Sequence, residues 1–141
     1  MRVVKTLSKI VFGSFFVLAG VMHFVTPDFF LRIMPPYLPG HLEIVYLSGV
    51  FEIALGALLW IPRFTRLAAW GLIALLIAVF PANIYVYQNQ EELFPETPAG
   101  FQLMRLLFQG VFILWAYWYT APAGVPDTQQ APATSISSTD D

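Results

Sequence analysis

Leu42-Glu43-Ile44-Val45-Tyr46-Leu47-Ser48-Gly49-Val50-Phe51-Glu52-Ile53-Ala54-Leu55-Gly56-Ala57-Leu58-Leu59-Trp60-Ile61 is the stretch that decides the fold. It has the length of a membrane-crossing helix, about 20 residues, and is apolar almost throughout. Yet Glu52 sits near its middle. A carboxylate at that depth is unfavourable by roughly 2.5–3.5 kcal/mol on insertion scales unless it is paired or protonated. The run reads as a transmembrane helix, and Glu52 as a residue whose partner must come from another helix.

The rest of the chain suits a membrane. Of its 141 residues, 57% are hydrophobic and 11% charged, against about 25% charged in an average soluble domain. The net charge is −2, without a basic cluster, which argues against nucleic acid as a partner. No cysteine is present, so thiol chemistry and thiolate metal sites are excluded within the chain. Three more runs are long enough to cross, at about 7–25, 67–87 and 103–119. The first has Lys5 and Lys9 at its start, as a signal peptide would, but it continues to Val25 with no small-x-small cleavage site.

The expected fold is therefore all-α: a membrane four-helix bundle over residues 1–120, followed by a disordered cytoplasmic tail at 121–141 that is too poor in large apolar residues to fold. Arg2, Lys5 and Lys9 flank the first span, and Arg63 and Arg66 separate the second from the third. The opposite side carries Arg32 in one loop and Glu91, Glu92 and Glu96 in the other. The positive-inside rule then puts both termini in the cytoplasm, as a multi-pass protein of a bacterial cytoplasmic (inner) membrane. Trp60, Trp70, Tyr117, Trp118 and Tyr119 make an aromatic belt at the inner ends.

In the first outer loop, Thr26-Pro27-Asp28 has the pattern of a helix start, with Thr26 as N-cap, proline at the first position and an acid in the first turn. A short interfacial helix should follow, stopped by Pro35, Pro36 and Pro39. It reads either as a stiff connector or as a lid over a site that opens outward. Residues 88–100 read as an exposed acidic loop.

Depth along each span, at about 1.5 Å per residue, puts the polar residues in one layer. His23, Asn83 and Arg105 fall about 9–10 Å outward of the span centres, Ser48 about 5 Å, Gln109 about 3 Å, and Glu52 near the midplane. The inner half reads as almost purely aliphatic and aromatic. Ser48 and Glu52 share one helix face, as do Arg105 and Gln109. Gly49, Gly56, Ala19, Gly20 and the ridge Ala74, Ala78, Ala82 permit close helix approach. These residues predict one outward-opening polar pocket of His23, Ser48, Glu52, Asn83, Arg105 and Gln109.

Within it, Arg105 is the expected ion-pair partner of Glu52, with His23 as the second candidate. The pair either fixes the register of the bundle or leaves Glu52, with His23, to handle protons. Pro81 either merely kinks the third span or turns Asn83 and a freed carbonyl toward the pocket. His41 reads as a solvated loop residue. The histidines do not share a depth on facing helices, which argues against a bis-histidine haem. No HExxH-like spacing, nucleophile elbow or phosphate-binding glycine loop is present, so no metal and no stand-alone enzyme are expected.

The stretches His23-Phe24-x-x-Pro27-x-x-Phe30, Ile33-x-Pro35-x-x-Leu38-Pro39, Ser48-Gly49-x-x-Glu52-x-x-x-Gly56, Phe80-Pro81-Ala82-Asn83 and Arg105-Leu106-x-x-Gln109, with Trp115-Ala116-Tyr117-Trp118, resemble the DoxX-like family of small four-helix membrane proteins. The resemblance covers about residues 7–120. It departs at Leu107, where a proline would be expected after the leucine. It implies a role beside a quinone-linked redox enzyme, the family being named for a small subunit of a quinol oxidase also described as a thiosulfate:quinone oxidoreductase. Other members are tied to redox-stress complexes or to the assembly of membrane partners.

Three readings of function follow. In the first, the protein is an accessory subunit whose pocket takes a quinone or phenol-like compound. His23 or Arg105 would bond its oxygen, Asn83 and Gln109 would orient it, and Glu52 would exchange the proton. The chain itself shows no electron-carrying group, so a redox partner would supply electrons. In the second, it is a non-enzymatic scaffold or assembly factor. In the third, it is a small proton-coupled exporter.

Overall fold

A computed structural model describes residues 2–121. The tail expected at 121–141 lies, past Ala121, outside the described residues. The fold is all-helical. Six helices run in the order α1 (Arg2–Val25), α2 (Pro27–Arg32), α3 (His41–Trp60), α4 (Thr65–Gln88), α5 (Gln90–Leu93) and α6 (Ala99–Trp118), with no strand among the described residues. Three of them, α1, α3 and α4, are long and apolar enough to cross a membrane. The expected fourth span becomes α6, also 20 residues long, but it is not one of the three. Gln102, Arg105 and Gln109 interrupt its apolar run. Gln102 and Gln109 are buried and Arg105 half-buried, so this helix keeps its polar groups inside the protein.

The outer surface fits an apolar solvent. Large side chains such as Leu18, Leu67 and Leu114 stand exposed on three different helices. A water-facing surface rarely leaves so many apolar residues contiguous. Such a surface is compatible with a multi-pass membrane protein, a setting in which close packing of small residues governs helix contacts.

That packing is clearest between α1 and α3, which run antiparallel. Gly20 opposes Gly49, and seven residues along each helix Gly13 opposes Gly56. A Cβ on Gly20 would stand 2.6 Å from the Gly49 carbonyl oxygen, and one on Gly56 would stand 2.7 Å from that of Gly13. Only hydrogen fits at either crossing. Helices α3, α4 and α6 pack in succession, and α6 approaches α1 through large rings rather than backbone contact. Phe12 of α1 lies 4.6 Å from Trp115 and 6.0 Å from Phe112, centroid to centroid.

The two ends of the bundle differ. At the end where α1 begins and α6 finishes, a dense core forms from Phe12, Phe16, Leu59, Ala68, Leu72 and Tyr119. Hydrogen bonds close this end, where an almost purely apolar half is expected from the sequence. Ser8 Oγ and Tyr119 OH are 2.7 Å apart, and Trp115 Nε1 donates to both. Thr65 Oγ1 donates to the Leu59 and Ile61 carbonyls, and Lys9 Nζ donates to Thr65 Oγ1.

At the opposite end, the first loop folds over the bundle. Helix α2 forms where expected, with Pro27 in its first turn, but Thr26 is not its side-chain cap. Its hydroxyl donates instead to the Met22 carbonyl at 3.0 Å, closing the end of α1. After the prolines, Gly40 adopts φ 63, the left-handed geometry that lets the chain turn into α3. His41, read as merely solvated, bonds through Nε2 to the Pro35 carbonyl at 3.1 Å and so ties this loop to the head of α3. The acidic loop contains the single turn α5, and Arg32 lies over the ring of Phe94 at 4.9 Å, joining the two loops.

Candidate functional site

A cavity of about 600 Å³ lies among α1, α3, α4 and α6, in the half of the bundle that faces the first loop. A volume of roughly 300–1,000 Å³ is the range of small-molecule sites. All six residues of the expected pocket line it: His23 from α1, Ser48 and Glu52 from α3, Asn83 from α4, and Arg105 and Gln109 from α6. The rest of the wall is apolar, with Phe15, Phe16, Phe108 and Phe112 as its largest flat surfaces. The fixed rise per residue, which spreads the six over about 10 Å of depth, puts them all in the same half of the bundle.

The pairing inside the cavity differs from the expected one. Glu52 forms no ion pair with Arg105. Its Oε2 lies 3.5 Å from His23 Nδ1, the one carboxylate–base approach among the described residues. The reason is which helices touch. Glycine contacts bring α1 against α3, and a Cβ on Gly49 would meet the His23 Cβ at 2.7 Å, so the His23 side chain starts beside α3. Arg105 instead belongs to α6, which packs on α4.

The 3.5 Å approach is not a hydrogen bond. A carbonyl only accepts, so His23 Nδ1 donates its hydrogen to the Ala19 carbonyl at 2.9 Å. Glu52 Oε2 is buried and has no hydrogen-bond partner among the described residues. The imidazole is held flat by Phe30 of α2, stacked at 3.7 Å with planes 19° apart. In the sequence Phe30 stands out only as a motif position, because the break between α1 and α2 keeps a residue spacing from fixing which side chains meet across it. Ile33, Met34 and Leu38 extend the loop's cover over the cavity. The loop is thus the roof of the site.

Asn83 and Gln109 are committed to each other. Asn83 Nδ2 donates to Gln109 Oε1 at 2.8 Å, and Gln109 Nε2 donates to the Leu76 carbonyl. Pro81 has no N–H for the carbonyl of Ile77, and α4 nevertheless continues through it. The carbonyl that Gln109 meets is one residue earlier, so the side-chain bridge fastens α6 to α4 beside the proline. Arg105 makes no hydrogen bond or ion pair among the described residues, although its side chain faces the same cavity. Among the described residues, the groups left with unused capacity are the Arg105 guanidinium, Glu52 Oε2, His23 Nε2, the Ser48 hydroxyl and the Asn83 amide oxygen, which accepts no hydrogen bond.

No curated protein and no solved structure matches this chain. A family match does exist, and it runs from Phe12 in α1 to Thr120 just past α6, so it takes in the glycine contacts, the roof and all six polar residues of the cavity. Over residues 12–120 the chain matches the family described as a domain of unknown function, DUF8561, and it belongs to that family.

Proposed function

We infer that this is a multi-pass membrane protein whose cavity receives a quinone or phenol-like ring compound, and that it serves as an accessory subunit of a quinone-linked redox system. One observation carries this reading. Polar groups from α1, α3, α4 and α6 converge on a cavity whose remaining wall is aromatic and aliphatic. Ligand sites pair such an apolar wall with a few convergent polar groups. The resemblance to DoxX-like proteins points the same way and is an analogy of motif.

In this reading α6 is a fourth crossing, sheltering Gln102, Arg105 and Gln109 from lipid, and the bundle has the DoxX-like arrangement. Both termini face the cytoplasm of a bacterial cell, in keeping with Lys5, Lys9, Arg63 and Arg66 at one end. Arg105 and His23 hold the ring oxygens, and Glu52 and His23 exchange protons with them. A partner enzyme delivers the electrons, two for each quinone reduced to quinol, and two protons enter with them.

A second reading, a non-enzymatic scaffold, is favoured by the Asn83–Gln109 bridge, where two of the six polar residues satisfy each other. Purification of the wild type and Glu52→Gln in mild detergent separates the two. The lipid-soluble extract, the response to added short-chain quinone and the co-purifying proteins are read from the same samples. Quinone retained by the wild type and reduced in the variant supports the redox reading. Absence of any quinone, bound or bindable, together with no redox partner, leaves the scaffold.

A further inference from the structure

The cavity asks for more than a neutral ring. Asn83 Nδ2 and the Gln109 amide are bonded to each other and to the Leu76 carbonyl, so the uncharged group they still offer a ligand is chiefly the Asn83 amide oxygen. What remains is unequal. Arg105 has only donors to give and meets no acceptor among the described residues. Glu52 Oε2 is buried with no donor among the described residues. The two lie on different helices, line the same space and do not reach each other within ion-pair distance. His23 stands beside Glu52 but sends its Nδ1 hydrogen to Ala19.

A guanidinium without a partner in a largely apolar cavity is matched best by a planar two-oxygen anion, which it grips with two parallel hydrogen bonds. An unmet carboxylate oxygen is matched by a hydroxyl. The ring planes of Phe15, Phe16, Phe108 and Phe112 offer faces for an aromatic body between the two. We propose that the cavity is a binding site for an aromatic hydroxy acid, with its carboxylate on Arg105 and its hydroxyl donating to Glu52. This rests on the cavity being a ligand site and goes beyond the quinone reading by naming a charge that a quinone lacks.

The test is isothermal titration calorimetry on the full chain in detergent, with 4-hydroxybenzoate, benzoate and a short-chain quinone as probes. 4-Hydroxybenzoate should bind, and Arg105→Gln should weaken it roughly tenfold or more, the worth of a charge-assisted hydrogen bond. Benzoate, lacking the hydroxyl, should bind more weakly to the wild type, and Glu52→Gln should narrow that difference. Arg105→Lys keeps the charge but not the planar fork, and should fall between Arg105→Gln and the wild type. Equal affinity of both acids for the wild type, or wild-type affinity in Arg105→Gln, overturns the proposal. If Arg105→Gln does not accumulate, wild-type affinity in Arg105→Lys does the same. Binding of the quinone but not of 4-hydroxybenzoate overturns it while leaving the quinone reading standing. Binding of neither removes both.

Discussion

His23 Nδ1 stands 3.5 Å from Glu52 Oε2, yet it gives its hydrogen to the Ala19 carbonyl at 2.9 Å, so a buried carboxylate oxygen lies beside a histidine that does not hydrogen-bond it. A brace would be arranged the other way, with the short bond across the helix interface. Burying an acceptor without a donor costs about 1–3 kcal/mol, more when it is charged. The α1–α3 contact does not need Glu52, because the glycine crossings already supply it.

Glu52→Leu therefore should leave stability unchanged or raise it, by up to about 1–3 kcal/mol. Thermal unfolding in detergent, followed by tryptophan fluorescence, reads this directly. A fall in melting temperature as large as that of a core truncation would make Glu52 a structural residue instead.

Gly20→Ala and Gly49→Ala should each destabilise the protein by about 1–3 kcal/mol, because the added methyl meets backbone and the helices must part. On Gly20 it would stand 2.6 Å from the Gly49 oxygen, and on Gly49 2.9 Å from the Gly20 oxygen. Gly110→Ala is the control, since a methyl there would meet nothing within 4 Å. Relief of the helix-interior glycine penalty should stabilise that variant by roughly 0.5–1 kcal/mol. The three melting temperatures are compared side by side, and opposite signs are the expected outcome.

The bonds among Ser8, Trp115 and Tyr119 tie α1 to α6 where their backbones do not meet closely. Ser8→Ala and Tyr119→Phe should each cost about 0.5–1.5 kcal/mol. Their combination should cost less than the sum, since both remove the same bond. A double-mutant cycle in detergent measures the coupling, and strict additivity would mean that the bond adds nothing.

Gln109→Leu strips a partner from Asn83 Nδ2 and from the Leu76 carbonyl together. The loss should be about 1–3 kcal/mol, the cost of stranding buried polar groups. Asn83→Ala removes only one side of the bridge and leaves the Leu76 bond in place, so it should be milder. Hydrogen exchange of α4 around Pro81 should quicken in the first variant more than in the second.

Much of this molecule is legible without its structure. Four apolar runs become the long helices, and depth along each run puts His23, Ser48, Glu52, Asn83, Arg105 and Gln109 at the level of one cavity. That much follows from local rules, since about 1.5 Å of rise per residue holds in any helix and converts a residue number into a depth. The small residues around Glu52 and His23 likewise announce a close contact. Gly13 and the seven-residue spacing of the glycine pairs gain their meaning only once α1 and α3 are seen side by side.

What depth along a helix does not contain is rotation about its axis and choice of neighbour, and those are what the tertiary structure decided. Arg105 looks like the partner of Glu52 because a long side chain can span the difference in depth. The glycine crossings instead set α1 on α3, and His23 takes the place beside Glu52. The same docking leaves Arg105 without a partner among the described residues, binds Asn83 to Gln109 and lays Phe30 over the imidazole. Sequence alone determined which groups share a level in the bundle. Helix packing, governed by where two backbones can touch, determined which of them meet.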